Sequence, residues 1–531
     1  MILISIFFIF SVFEIRSVVS ENITVELPLG NLIGKFKNGY ISFESIPYAE
    51  PPIDENRLEP PKPYKTKWNI RDATKQTHQP CLQYDPDNSG VIGSEDCLYL
   101  NVFTPDLEKE KSYPVFVYIH GGAYRVGSDH MFGEEIIMES GKFVFVSLNY
   151  RLGPLGFLST NCKAIPGNMG LKDQKLALMW IKDNIEKFNG DPEKIILSGF
   201  SAGGSSVHLH LMSKATENLT KVAISYSGSA FNPWAFDFSP MNKTIAIATE
   251  FKCPMDNGMA VKNCLKKIDG NELVTKGSTL FTKFLNLPIS IFGPVVEPNS
   301  VSDPFITDFP ENIIHSGNMA NIPWIVSSCA DDGAIIASIL LNSNENGTKN
   351  FVEFSEKFDE ILPIILYYDN NDKVDREMMT SYLKRQYSLK EKSDITEENY
   401  WNIQRMLSDE LMIEPIQDAV KLQREFSKAP TYYYVYDNPP PYGFANVISN
   451  RPEMNFGTIH GDDLLLILKS NIRDSHPWTE IERNLSAKFL EMYENFVETG
   501  IAKFGDDDFP LEVEDNLSSP KALLITKDSI K

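Results

Sequence analysis

The chain has 531 residues and a formal net charge of −22. So acidic a surface repels phosphate backbones and excludes nucleic acid as a partner, and no basic amphipathic stretch suggests docking on an anionic membrane. Hydrophobic residues make up 42% of the chain, enough for a large buried core, and no linker, repeat or single-charge run divides it into several domains.

In chain order, the first feature is the apolar run ILISIFFIFSVF (2–13), too short to span a bilayer comfortably. Polar residues follow, then Val18-Val19-Ser20. Residues 1–20 therefore read as a signal peptide, although a basic n-region is missing, and 21–531 as a single large domain. No later apolar stretch reaches the ~18 residues of a membrane span, so stable membrane insertion is not expected. The C-terminal LLITKDSIK carries neither a retention tetrapeptide nor a lipid-anchor tail, and secretion is the expected fate.

Short runs rich in β-branched and aromatic residues recur along the mature chain. They are VFVYIH (115–120), KFVFVSLNY (142–150), KIILSGFS (194–201), IPWIVSS (322–328) and TYYYVY (431–436). Apolar on both faces, they read as central strands of a sheet covered by helices. Between them LKDQKLALMWIKDNIEKF (171–188) has apolar residues at helical spacing, with Gly190 just past its end. Alternating strands and helices imply an α/β fold with a mostly parallel sheet, whose ligands bind beyond the carboxyl ends of the strands.

The chemistry-bearing motifs lie at such ends. Gly199-Phe200-Ser201-Ala202-Gly203-Gly204 follows a strand and precedes SSVHLHLMS, which can form a helix. That context suits a nucleophile elbow, where a tight turn projects the serine hydroxyl and small neighbours are needed. His120-Gly121-Gly122-Ala123 ends the VFVYI strand, where an oxyanion loop belongs. The candidate donors are the amides of Gly122, Ala123 and Ala202, each typically contributing about 2.7–4 kcal/mol of transition-state stabilisation.

A base and an orienting acid should follow the serine in the order acid, then histidine. His78, His120 and His130 precede Ser201; His208 and His210 lie on the helix after it and point away; His315 sits in a polar stretch. His460, in the loop GTIHGDD (457–463), has small neighbours that His476 lacks. Asp331-Asp332-Gly333 follows IPWIVSS, and on physical grounds either aspartate could hold the imidazole.

Six cysteines fit an oxidising compartment. Cys81 with Cys97 and Cys253 with Cys264 are close in the chain, and closing loops that short stabilises by roughly 3 kcal/mol each. The cysteines left over from such a pairing, Cys162 and Cys329, fit buried thiols. N-x-S/T sequons at Asn22, Asn218, Asn242, Asn346, Asn484 and Asn516 are glycosylation candidates.

Together these residues resemble the type-B carboxylesterases and cholinesterase-like proteins, over nearly the whole mature chain. FESIPYAEPP (43–52) with Arg57 is similar to the family's amino-terminal segment. EDCLYLNV (95–102) matches a signature of the family, and LSGFSAGG (197–204) is similar to its active-site signature. NYRLGPLGFLS (149–159), PGNMGLKDQ (166–174) and FNGDP (188–192) are further matches. The resemblance implies a single α/β-hydrolase domain with a deep gorge. It selects Asp332, which precedes the glycine, over Asp331, and selects His460. It also pairs Cys81 with Cys97 and Cys253 with Cys264, leaving Cys162 and Cys329 reduced.

Three positions depart from the family pattern: Phe200 replaces a common acidic residue, Asp332 a glutamate, and Ala123 the third glycine of the oxyanion loop. The implied activity is hydrolysis of a small-molecule carboxylic ester through a Ser201 acyl-enzyme, with no metal or organic cofactor. The lack of Trp in LQYDPDNSGVIGSED (82–96), where Tyr84 is the one aromatic, and the apolar surface expected from Phe200 point to neutral, apolar esters. Competing readings are a non-catalytic adhesion or binding module of the cholinesterase-like type, and a lipase. The natural ester and the oligomeric state carry no signature in the sequence.

Overall fold

A computed structural model describes residues 23–530 apart from 86–89, 286, 344–348, 370–373, 390–394, 475 and 512–518. The expected signal peptide and the sequons at Asn22, Asn346 and Asn516 lie outside the described residues. Asn218, Asn242 and Asn484 are all exposed.

The chain builds a 12-stranded sheet among the described residues. Its spatial order runs Ile23–Leu27, Gly30–Lys37, Tyr40–Pro47, Tyr99–Thr104, Val144–Leu148, Tyr113–Ile119, Gly190–Phe200, Val222–Tyr226, Trp324–Cys329, Thr431–Asp437, Leu523–Thr526, with Ile70–Asp72 beside Gly30–Lys37. From Val144–Leu148 onward every neighbour is parallel. The strands leading up to it pair antiparallel along the path.

The apolar runs form strands for the reason their composition suggests: both faces are buried. Val115, Val117, Leu197 and Val326 enter the core on one side, with Leu178 and Ile181 of the helix Met169–Asn184 and Val207 and Leu209 of Ala202–Met212. Phe116, Tyr118, Ile196 and Ile325 enter the core on the other, against Phe489, Tyr493 and Phe496 of the helix Glu480–Thr499. Each such fully buried side chain contributes about 1.5–3 kcal/mol. The last helix is bounded by a capping box, Thr479 with Glu482, and by Gly500 in the left-handed region.

The chain leaves Tyr113–Ile119 toward one side of the sheet and Gly190–Phe200 toward the other. The carboxyl ends of these neighbours, in register at Gly199 and Ile119, form the crevice where open α/β sheets bind ligands.

Cys81 is bonded to Cys97 and Cys253 to Cys264; Cys162 is a half-buried thiol and Cys329 a buried one. Among the described residues no helix is long and apolar enough to cross a membrane.

A π-helical turn, Asp409–Ile413, joins Tyr400–Ser408 to Glu414–Phe426. Burial, and then repulsion from Glu414, push the Glu410 carboxyl up to about 7, although Tyr387 Oη donates to it at 3.0 Å. A carboxyl raised on folding supplies stability at low pH that is lost as pH rises through its folded value. Glu410→Gln should therefore stabilise the fold by roughly 1–2 kcal/mol at pH 8 and by less than half of that at pH 5. Urea unfolding at the two pH values checks this; an equal effect at both would contradict it.

Candidate active site

Ser201 sits between the strand Gly190–Phe200 and the helix Ala202–Met212 with φ 57° and ψ −119°. Such a conformation costs about 1–3 kcal/mol and persists only where its surroundings enforce it. Here they do: Ser201 N–H donates to Tyr226 O at 2.8 Å, and Ser205 N–H donates to Ser201 O at 2.9 Å. Close packing leaves no room for side chains nearby. A Cβ on Gly199 would lie 2.3 Å from Gly203 O, one on Gly203 2.1 Å from Ile119 O, and one on Gly228 2.1 Å from Ser201 O. Gly228 has no motif to announce it in the sequence.

The loop after Tyr113–Ile119 lies against this turn, since a Cβ on Gly121 would stand 3.0 Å from Ser201 Cβ. Gly122 has φ 108°, and Ala123 and Tyr124 follow at 55° and 57°. Ala123 thus keeps its N–H at the conformational cost expected where glycine is usual. His120 braces the loop. Its Nδ1 is 2.8 Å from Gly121 O, its ring stacks on Tyr150 at 4.4 Å, and burial lowers its pKa to about 4, so it stays neutral.

His460 Nδ1 lies 2.6 Å from Asp332 Oδ1, and both residues are buried. The second oxygen, Asp332 Oδ2, accepts the Cys329 N–H at 2.9 Å. The carboxylate is thereby fixed at the end of Trp324–Cys329 with one oxygen left for the imidazole. Asp331 points elsewhere: its oxygens accept from Gln404 Nε2 at 3.1 Å and Thr458 N–H at 3.2 Å. It ties the acid loop to the histidine loop, which Asp331 N–H and Thr458 O bond again at 2.8 Å.

Two further aspartates anchor the histidine loop, and only their place in GTIHGDD hints at this. Asp462 Oδ2 accepts Ile459 N–H at 2.8 Å; Asp463 Oδ2 accepts Ser327 Oγ at 2.6 Å and Tyr434 Oη at 3.0 Å. Burial pushes the Asp462 carboxyl well up, and Asp463 rises for the same first reason.

Phe200 does not do what the sequence suggests. Its ring is only 6% exposed and lies behind the histidine, 4.5 Å from the His460 ring and 6.2 Å from Phe132. Gly461 is bare because a Cβ there would meet the Phe200 ring at 2.8 Å. The residue before the serine thus offers the substrate no open apolar surface. It brings the histidine loop onto the elbow, and it removes a carboxylate from beside the imidazole. Phe132 continues the aromatic row to half-buried Phe444 at 6.3 Å.

Residues 21–520 match the model of the Carboxylesterase family. The chain belongs to that family. It is 36% identical to Esterase-5B of Drosophila persimilis over 522 residues, covering 96% of this chain and 93% of the relative. It is 36% identical to Esterase P of Drosophila melanogaster over 526 residues, 96% and 95% of the two chains. The crystal structure of juvenile hormone esterase from Manduca sexta, with OTFP covalently attached, shares the fold. Its TM-score is 0.77 at 22% identity, covering 94% of this chain and 97% of that one. The protein is an α/β-hydrolase carboxylesterase, and its reaction is carboxylic ester hydrolysis.

Proposed function

We propose that this carboxylesterase works through an acyl-enzyme on Ser201, with His460 as general base and Asp332 as its orienting acid. The observation that carries the reading is the buried His460–Asp332 bond held beside a strained serine turn. As Ser201 Oγ attacks the ester carbonyl, His460 Nε2 takes its proton while Asp332 stabilises the imidazolium from Nδ1. The amides of Gly122, Ala123 and Ala202 receive the oxyanion. The imidazolium then protonates the departing alcohol, and a water deprotonated by His460 releases the acid. Covalent labelling by an organophosphate, located by peptide mapping, tests the assignment: modification at a residue other than Ser201 would refute it.

The preferred substrates are neutral, apolar esters. The support is the replacement of a carboxylate by Phe200 beside the imidazole, and the lack of Trp between Cys81 and Cys97, where Tyr84 is half-buried in the strand Gln83–Asp85. An aromatic contact to a quaternary ammonium contributes roughly 0.5–2 kcal/mol, so losing one of middling strength should cost about tenfold. The kcat/KM for 1-naphthyl acetate should exceed that for acetylthiocholine by at least this factor. Equal efficiency would mean that a cation site exists elsewhere in the gorge.

The two disulfides suit an exported protein, which fits a signal peptide over residues 1–20 and glycans at exposed sequons such as Asn218, Asn242 and Asn484.

A further inference from the structure

We propose that His78, Asp129 and His130 form a binding site for one divalent transition-metal ion of the zinc class, separate from the catalytic centre. His78 comes from the segment leading into Cys81. Asp129 and His130 come from the loop that continues the oxyanion turn. One ligating atom from each, an imidazole nitrogen of His78 and of His130 and an Asp129 oxygen, lies within 4.8 Å of the other two. Asp129 stands between the two rings, with Oδ2 2.8 Å from His78 Nε2 and Oδ1 2.9 Å from His130 Nδ1. Two imidazoles and one carboxylate suit zinc, cobalt, nickel or copper better than calcium or magnesium, which prefer all-oxygen shells. A water would complete four-coordination.

Two features set this trio apart from an ordinary surface cluster. First, it is anchored as metal ligands are. The side chains of His78 and Asp129 are 1% and 0% exposed. His78 Nδ1 lies 2.9 Å from Ser45 Oγ, the His78 ring stacks on Tyr99 at 5.0 Å, and Asn101 Nδ2 donates to Asp129 Oδ2 at 2.7 Å. Such outer partners fix a ring's tautomer and direction. Second, it is accessible: the His130 side chain is 42% exposed, giving an ion a way in and a ligand that can move. The Gln76 amide reaches His130 Nδ1 at 2.6 Å and would yield that nitrogen to a metal.

The metal would fasten the segment entering the Cys81–Cys97 bridge to the loop carrying Gly122 and Ala123.

The test uses the full mature enzyme, stripped with EDTA and titrated with Zn²⁺ by calorimetry and with Co²⁺ by visible spectroscopy. One equivalent of Zn²⁺ should bind, the Co²⁺ form should show the strong ligand-field bands of four-coordination, and the Tm should rise. His130→Ala, a change at an exposed position, should weaken Zn²⁺ binding at least tenfold and abolish those bands. Asp129→Asn should do likewise, and His315→Ala should do neither. Absence of stoichiometric binding to the wild type would overturn the site. So would unchanged affinity in His130→Ala, which would move the metal elsewhere, the catalytic His460 included.

Discussion

Ser201→Ala is expected to lower kcat for a neutral acetate ester by about a millionfold, with no change in the unfolding midpoint. The magnitude follows from the proposed role of Ser201 as nucleophile of a unit that works together, whose loss in triad hydrolases leaves only binding and oxyanion stabilisation. The fold should survive because the elbow is held by main-chain groups. Ser201 N–H bonds Tyr226 O and Ser201 O accepts from Ser205 N–H, and alanine keeps both. The surrounding glycines that enforce the turn are untouched. Single-turnover kinetics on protein purified away from host esterases decide the matter. Activity within a hundredfold of the wild type would remove Ser201 from the mechanism.

Asp332→Asn should cost about 10⁴-fold in kcat, and the structure gives the reason in terms of protons. In the wild type one carboxylate oxygen accepts the Cys329 N–H and the other faces His460 Nδ1. An asparagine has one acceptor and one donor. The fixed Cys329 N–H claims the acceptor, so the amide NH₂ must face Nδ1. The imidazole then carries its proton on Nε2, where the serine proton has to go, and cannot act as a base. Asp331→Asn should cost no more than about tenfold, because Asp331 bonds Gln404 and Thr458 instead of His460. Comparing kcat for the two variants, with circular dichroism to exclude unfolding, tests both expectations. Similar losses in both would put the acid assignment in doubt.

The central strands were legible because each is buried on both faces, which compresses the signal into a continuous apolar run ending at a glycine or serine. Val115–Ile119 and Ile195–Phe200 are of this kind. The amino-terminal strands gave no such signal: Gly30–Lys37 alternates polar and apolar residues, GNLIGKFK, and stays partly exposed. At the candidate site, Ser201 and the proposed oxyanion loop announce themselves because backbone geometry demands small residues in a fixed order. The acid does not. Asp331 and Asp332 are chemically equal in sequence; the family resemblance favours Asp332, and in space the Cys329 N–H and the register of the histidine loop separate the two. Phe200 misled for a related reason. A position next to Ser201 in sequence faces backward in space, against the His460 ring.

The glycine packing around Ser201 also bears on how this enzyme can diversify. Gly199, Gly203 and Gly228 each abut main-chain atoms that cannot step aside, and Gly121 abuts the elbow itself. A mutational library spread evenly over the chain would waste its members here, because even alanine is excluded. New specificities must instead be drawn from positions that face the crevice without supporting it. Half-buried Phe444, at the far end of the aromatic row from Phe200, lies outside that packing, on a chassis that holds Ser201 still while the walls change.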